Sequence, residues 1–292
     1  SSTRPSRPSK AVPAGLEGYD LLTRILVAVV LAPLFFVVLF FLDSIWLAAL
    51  VAAICAMASF ELLRATKVAH HNGMYVYTAA AAGLIPLTFW LGWGNWSLAA
   101  LSLLLMAALF LGAIRRFDSG SAISLEDLLV CMFGGIVIPA FLSTLVLLKG
   151  MESGRYLVLL PVISAFLTDA GAYFVGVFFG KHKGITRVSP NKSLEGYAGG
   201  ILFGGLFMLL YGAILHQFGG IEVNFPLMVV YGLVGSAITE LGDLSFSLIK
   251  RQYGIKDYGN VIPGHGGMLD RFDSMTFAAP ALWLMVTLFP AF

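Results

Sequence analysis

Charge is what this sequence has least of. Only 12% of its 292 residues are Asp, Glu, Lys or Arg, while 59% are hydrophobic and the mean hydropathy is +0.88. A soluble domain carries about 25% charged residues, so a solvated surface cannot be built from this composition. That excludes a water-soluble globular enzyme, a disordered chain and a nucleic-acid-binding protein. Cysteine is nearly as scarce. Cys55 and Cys131 each stand alone in an apolar run, with no Cys-x-x-Cys pair and no Cys/His cluster. A disulfide framework and a structural zinc site are thereby set aside, and both thiols are expected as small buried apolar groups.

What is present is a series of apolar runs. A helix crossing a hydrocarbon core needs about 20 residues. The runs predict nine spans: Ile25–Leu42, Ile45–Phe60, Tyr75–Gly94, Trp96–Ile114, Leu128–Leu148, Tyr156–Gly180, Tyr197–Leu215, Phe225–Ile249 and Ser274–Phe292. No β-barrel alternation is visible, so the expected fold is all-α and polytopic. Only Asp43-Ser44 separates the first two spans, which predicts a tight helical hairpin. Ile25–Leu42 follows basic residues as a signal peptide would, but no small-x-small cleavage site follows it, so it is expected to be a retained helix.

The few cations are sorted. With the amino terminus inside, 16 of the 18 Lys and Arg residues fall on the inner side, and only Lys149 and Arg155 fall outside. Positive loops stay on the cytoplasmic side, so the expected topology has a cytoplasmic amino terminus and an external carboxyl terminus. The Ser/Pro/Arg-rich residues 1–24 are expected as a flexible cytoplasmic tail. Residues 25–155 are expected to supply about five front spans, and residues 156–292 a catalytic region. Glycine pairs four apart, as in Gly176–Gly180 and Gly200–Gly204, fit close helix packing.

Interior polar groups are sparse before Lys149. Glu61 is placed at the inner end of the second span, where a surface pair with Arg64 one turn on accounts for it. Asp127 sits near a helix start, where its charge is favourable. After Lys149 the pattern changes. Asp169 falls in mid-span, and Glu240 and Asp243 fall late in the eighth span, i and i+3 on one face. Ionisable groups at such depth are costly and face a site or a partner.

Two inner loops complete the constellation. One, 180–196, carries Lys181, Lys183, Arg187 and Lys192 among Gly, Ser and Asn. The other runs from Lys250-Arg251 through Lys256-Asp257 to a Gly-rich stretch, in which Asp270 and Asp273 are i and i+3 and flank Arg271. Carboxylates beside concentrated cations suit a divalent metal meeting a polyphosphate, because Mg²⁺ takes one or two carboxylates plus phosphate oxygens and water. Lys and Arg then neutralise the charge that develops in phosphoryl transfer. A loop that merely fixes topology accounts for the cations but not for the five acids. Gly-x-x-x-x-Gly-Lys-Ser/Thr, His-Glu-x-x-His and the Asp-Gly-x-x-Ala-Arg pattern of the CDP-alcohol phosphotransferases are all absent.

Ser247-Leu-Ile-Lys-Arg251, Lys256-Asp257 and Ile262-Pro-Gly-His-Gly-Gly-Met-Leu-Asp-Arg-Phe-Asp273 resemble the signature of the bacterial phosphatidate cytidylyltransferases (CDP-diacylglycerol synthases). Asp169-Ala-Gly-Ala-Tyr173, Gly180-Lys-His-Lys183 and Ser189-Pro-Asn-Lys-Ser-Leu-Glu-Gly196 look like the same family's other landmarks. Together they cover about a third of the chain, in the right order. The resemblance implies that CTP and phosphatidate give CDP-diacylglycerol and pyrophosphate, with Mg²⁺ required and a second cation such as K⁺ proposed. By the same resemblance Asp243 and Asp270 are metal ligands and catalytic, with Asp273 supporting the site and Lys250 and Arg271 on phosphate. Asp169, Lys181, Lys183, Ser189, Lys192, Arg251, Lys256 and His265 would contact substrate. An inner-membrane location, a site facing the cytoplasm, lateral lipid entry and a homodimer are implied as well. Ser193 stands where Thr is frequent, and Glu240 where a neutral amide is expected. Two other readings remain: a CTP-dependent lipid-alcohol kinase, which would release CDP instead of pyrophosphate, and an ion-coupled transporter, for which repeated halves are expected and none is evident.

Overall fold

A computed structural model describes residues 29–69, 71–118, 122–184, 186–262 and 266–292. The helices in chain order are α1 (Val29–Phe40), α2 (Ser44–Thr66), α3 (Asn72–Trp90), α4 (Gly94–Arg115), α5 (Leu125–Gly150), α6 (Gly154–Phe179), α7 (Leu194–Gly219), α8 (Phe225–Gln252) and α9 (Leu269–Leu288). Among the described residues there is no β-strand. Two isolated antiparallel bridges, Lys183 with Ser193 and Ile262 with Gly266, draw two loops together. The all-α architecture follows from the apolar runs.

Six helices, α2 and α4 to α8, are long and apolar enough to cross a membrane. Within a bilayer the backbone satisfies itself only by helix or closed barrel, and the chain is a multi-pass membrane protein. Helix α1 is shorter in the described residues, and the first four positions of its expected span lie outside them. Helix α3 has 19 residues with Pro86 inside it, and α9 has 20 with three charged residues at its head.

Local chemistry explains where the helices start and stop. At the head of α5, Asp127 N–H donates to Ser124 Oγ (3.1 Å) while Asp127 Oδ2 accepts from Ser124 N–H (2.7 Å), a reciprocal cap. Helix α7 begins with Ser193 Oγ accepting from Gly196 N–H (3.1 Å), and α8 with Asn224 Oδ1 accepting from Leu227 N–H (3.2 Å). At the other end of the bundle Lys149 Nζ, near the end of α5, donates to Leu39 O (2.5 Å) and Phe40 O (3.4 Å). It thus satisfies carbonyls that α1 leaves unpaired. One of the two cations that broke the charge asymmetry therefore has a local job.

Cys55 and Cys131 are buried free thiols, as expected. The small-residue spacing also does what it predicts. Gly204 of α7 meets Ser236 and Gly232 of α8, and a Cβ on Gly232 would lie 2.5 Å from the Gly204 carbonyl oxygen. Only hydrogen fits there, so α7 and α8 approach at backbone distance. Beside this crossing, Thr168 Oγ1 donates to Ser236 Oγ (2.7 Å), linking α6 to α8. The middle of α8 is thereby held against α6 and α7, and one turn on, between Glu240 and Asp243, Gly242 meets α9, where a Cβ would lie 3.0 Å from Phe277 Cβ.

Candidate functional site

Two lysines organise the polar residues into two clusters. In the first, Lys192 reaches from the loop before α7 to α8, with Nζ 2.7 Å from Glu240 Oε2 and 2.8 Å from Asp243 Oδ2. The i, i+3 spacing aims both carboxylates at one ammonium. Burial alone acts to lower the Lys192 pKa, but Asp243 and Glu240 outweigh it, and the net shift is upward. Its ammonium also lies 5.2 Å from the centre of the Tyr197 ring.

The second cluster joins α8 to α9. Lys250 Nζ is 3.0 Å from Asp270 Oδ1 and 3.9 Å from Asp273 Oδ2. Asp270 Oδ2 in turn accepts the backbone N–H groups of Tyr258 (2.8 Å) and Gly267 (3.0 Å). One buried carboxylate thus binds a lysine and both ends of the connecting loop. Tyr258 supports it from beneath: its hydroxyl donates to Phe246 O (2.9 Å) and its ring lies 5.5 Å from the Lys250 ammonium. Burial pushes the Tyr258 phenol well above its ordinary range.

The first cluster borders, through Lys192, a cavity of about 320 Å³ whose lining includes Asp169, Tyr173, Lys183, Lys192, Ser193 and Tyr197. Asp169 is exposed toward it from the middle of α6, and Lys183 is exposed beside it. The loop bearing these lysines is tied down at several points. Glu195 accepts the N–H groups of Lys181 (3.2 Å) and His182, and its Oε1 lies 2.5 Å from His182 Nδ1. Ser189 O accepts from Lys192 N–H (3.2 Å), which closes the turn that presents Lys192. Arg251 Nε donates to Val188 O (3.2 Å) and its Nη1 to Ile255 O (3.3 Å), so this residue couples the two site loops. Lys181, Lys256 and Arg271 are exposed, and His265 lies outside the described residues.

The two expected metal ligands belong to different clusters: Asp243 is held by Lys192 and Asp270 by Lys250. Among the described residues no three His, Cys, Asp or Glu side chains gather into a group able to hold a metal ion. This donor chemistry fits Mg²⁺, a hard cation usually held by one or two carboxylates with substrate phosphates and waters. It does not fit a cation that needs a full protein cage.

Glu61 departs from its expected place. It is buried, with 3% exposure, whereas Arg64 is exposed, so the surface pair does not form. Its Oε2 accepts from Leu269 N–H (2.9 Å), at the first residue of α9. The helix turns it inward because position 61 lies on the same face as buried Ile54 and Ala58, seven and three residues earlier. An acid flanked by Phe60 and Leu62-Leu63 was the available signal, and Tyr258, in the gap between Lys256-Asp257 and the Gly-rich stretch, offered none.

A family model, the cytidylyltransferase family, matches residues 22–289. The chain is 30% identical to the phosphatidate cytidylyltransferase of Mycobacterium bovis, over 98% of this chain and 96% of that relative. It is 31% identical to the one from Thermotoga maritima (91% and 96%) and 31% identical to the one from Bacillus subtilis (92% and 99%). With the match extending through the front helices as well as the clusters, the chain belongs to the cytidylyltransferase family.

Proposed function

We propose that this protein is a phosphatidate cytidylyltransferase. CTP and phosphatidate are its substrates, and CDP-diacylglycerol and pyrophosphate its products. An oxygen of the lipid phosphate attacks the α-phosphorus of CTP, a new P–O bond forms, and the bond to the β-phosphate oxygen breaks to release pyrophosphate. The observation that carries this reading is the pair of lysine–carboxylate clusters, the first of them beside a cavity, in a chain related over nearly its full length to enzymes of that name.

The residues divide the work. Lys192 and Lys250 are held by carboxylates in the structure, and both would pass to phosphate oxygens as substrates arrive. Asp243 and Asp270 would then hold Mg²⁺, with Asp273 beside them. When bound, Mg²⁺ supplies Lewis-acid polarisation of the phosphate and charge neutralisation. Arg251, Lys256, Arg271 and His265 are assigned to phosphate contacts, and Asp169, Lys181, Lys183 and Ser189 to the nucleotide or lipid headgroup.

Nine spans with the amino terminus inside remain our proposed topology, which puts the site at the cytoplasmic face of the inner membrane, where CTP is available. The family's homodimer is part of the same proposal, testable by light scattering in detergent. Purified protein incubated with CTP, phosphatidate and Mg²⁺ is expected to release pyrophosphate and form a nucleotide-bearing lipid. CDP formed with a phosphorylated lipid alcohol would instead establish the kinase reading.

A further inference from the structure

Asp270 holds its loop from one side, and a second acid holds it from another. The Glu61 carboxylate lies against Gly259 and Gly267: a Cβ on either glycine would be 2.5 Å from one of its oxygens. Neither glycine has a positive φ, so close approach is what calls for glycine there. Gly267 is shared, since its N–H points to Asp270 Oδ2 (3.0 Å) while the place of its missing Cβ points at Glu61. Leu269 N–H, one residue before Asp270, donates to Glu61 Oε2. The two carboxylates therefore grip the base of one loop, at residues 258–259 and 267–269.

A carboxylate in an apolar helix is costly to bury, and Glu61 Oε1 has no hydrogen-bond partner in the structure. A leucine would fill the same space without that cost. What a leucine would not do is accept the Leu269 N–H and so set the first turn of α9, from which Asp270 projects.

We infer that Glu61 is a positioning residue for nucleotide transfer, holding Asp270 and residues 258–259 and 267–269 in register from the front half of the chain. This rests on the phosphatidate cytidylyltransferase reading for its kinetic consequences, but the clasp itself can be measured without substrate. It also means that the catalytic unit is not confined to residues 156–292.

The test is Glu61→Leu against Glu61→Gln in detergent. Glutamine keeps an acceptor for Leu269 N–H and leucine does not. For Glu61→Leu, kcat is expected to fall roughly tenfold to a hundredfold, the scale set by small misplacements of reacting groups. KM for phosphatidate should be unchanged, and the Mg²⁺ concentration for half-maximal rate should rise. Glu61→Gln should stay within roughly threefold of wild type because its acceptor is retained. Without CTP or Mg²⁺, amide exchange over 258–270 should quicken in the leucine variant while α6 and α7 keep wild-type protection, and glutamine should restore it. If Glu61→Leu fails to fold, Glu61→Asp retracts the carboxylate and Gly259→Ala pushes against it, and the same pattern is expected of both. Wild-type turnover and wild-type exchange in a folded Glu61→Leu protein would overturn the inference. A wild-type protein that makes no CDP-diacylglycerol would overturn the functional reading instead, and amide exchange would still decide the clasp.

Discussion

Lys250 and Asp270 are paired across the connection between α8 and α9, with Nζ 3.0 Å from Oδ1 and the side chains 12% and 4% exposed. The pair lies at the centre of the second cluster, because the other Asp270 oxygen holds Tyr258 and Gly267. Lys250→Met leaves a buried carboxylate without its cation, a change that costs about 3–5 kcal/mol when a buried pair is broken from one side. The expected result is a clear drop in the thermal midpoint together with loss of turnover. Lys250→Met/Asp270→Asn should recover much of the stability and none of the activity, as read by thermal unfolding and product formation on the same preparations.

Glu240 stands where the family pattern implies a neutral amide, and the structure shows what it touches. It shares Lys192 with Asp243, at 2.7 and 2.8 Å. Glu240→Gln removes one of two acidic partners and keeps an acceptor, so turnover is expected to stay within roughly threefold of wild type. Asp243→Asn should instead abolish turnover with the helices intact by circular dichroism.

Lys192 also makes a prediction about pH. Its folded pKa lies above the ordinary value of 10.5 because Asp243 and Glu240 outweigh the effect of burial. A group whose pKa is raised on folding gives its stabilisation fully below the unfolded pKa, and that stabilisation is lost as pH rises through the folded value. The gap in thermal midpoint between wild type and Lys192→Met should therefore be flat between roughly pH 6 and 9, well below the ordinary lysine value. It should narrow only in strongly alkaline buffer. A gap that closes near neutral pH would show that the ammonium is not held by these carboxylates.

Close approach at Gly259 predicts a coupling between distant parts of the chain. Gly259→Ala directs a methyl group at Glu61 Oε1, 2.5 Å away, so it should destabilise the wild type by about 1–3 kcal/mol. In a Glu61→Ala background the space is vacated, and the same substitution should cost much less. A double-mutant cycle on thermal unfolding gives the interaction energy directly.

Residues within one helix were legible from the sequence, because helical spacing fixes which side chains share a face. Glu240 with Asp243 and Asp270 with Asp273 each meet a common lysine for that reason. The helix start at Asp127, the two buried thiols and the close glycine contacts were legible on the same local grounds. Partners across loops were not. Nothing in local spacing says that Lys192 goes to α8 or that Asp270 takes two backbone N–H groups. Glu61 was misplaced because Arg64, one turn on, offered a sufficient local explanation, while its actual partner is Leu269, 208 residues away.

In this reaction a cytidylyl group, not a terminal phosphate, passes to the lipid. The most direct measurement uses two samples of CTP, one labelled in its α-phosphate and the other in its γ-phosphate, each incubated with the wild-type protein, phosphatidate and Mg²⁺. The α-label is expected to enter the lipid and the γ-label to leave as pyrophosphate. Lipid that carries the γ-label, with the α-label remaining in CDP, would contradict it.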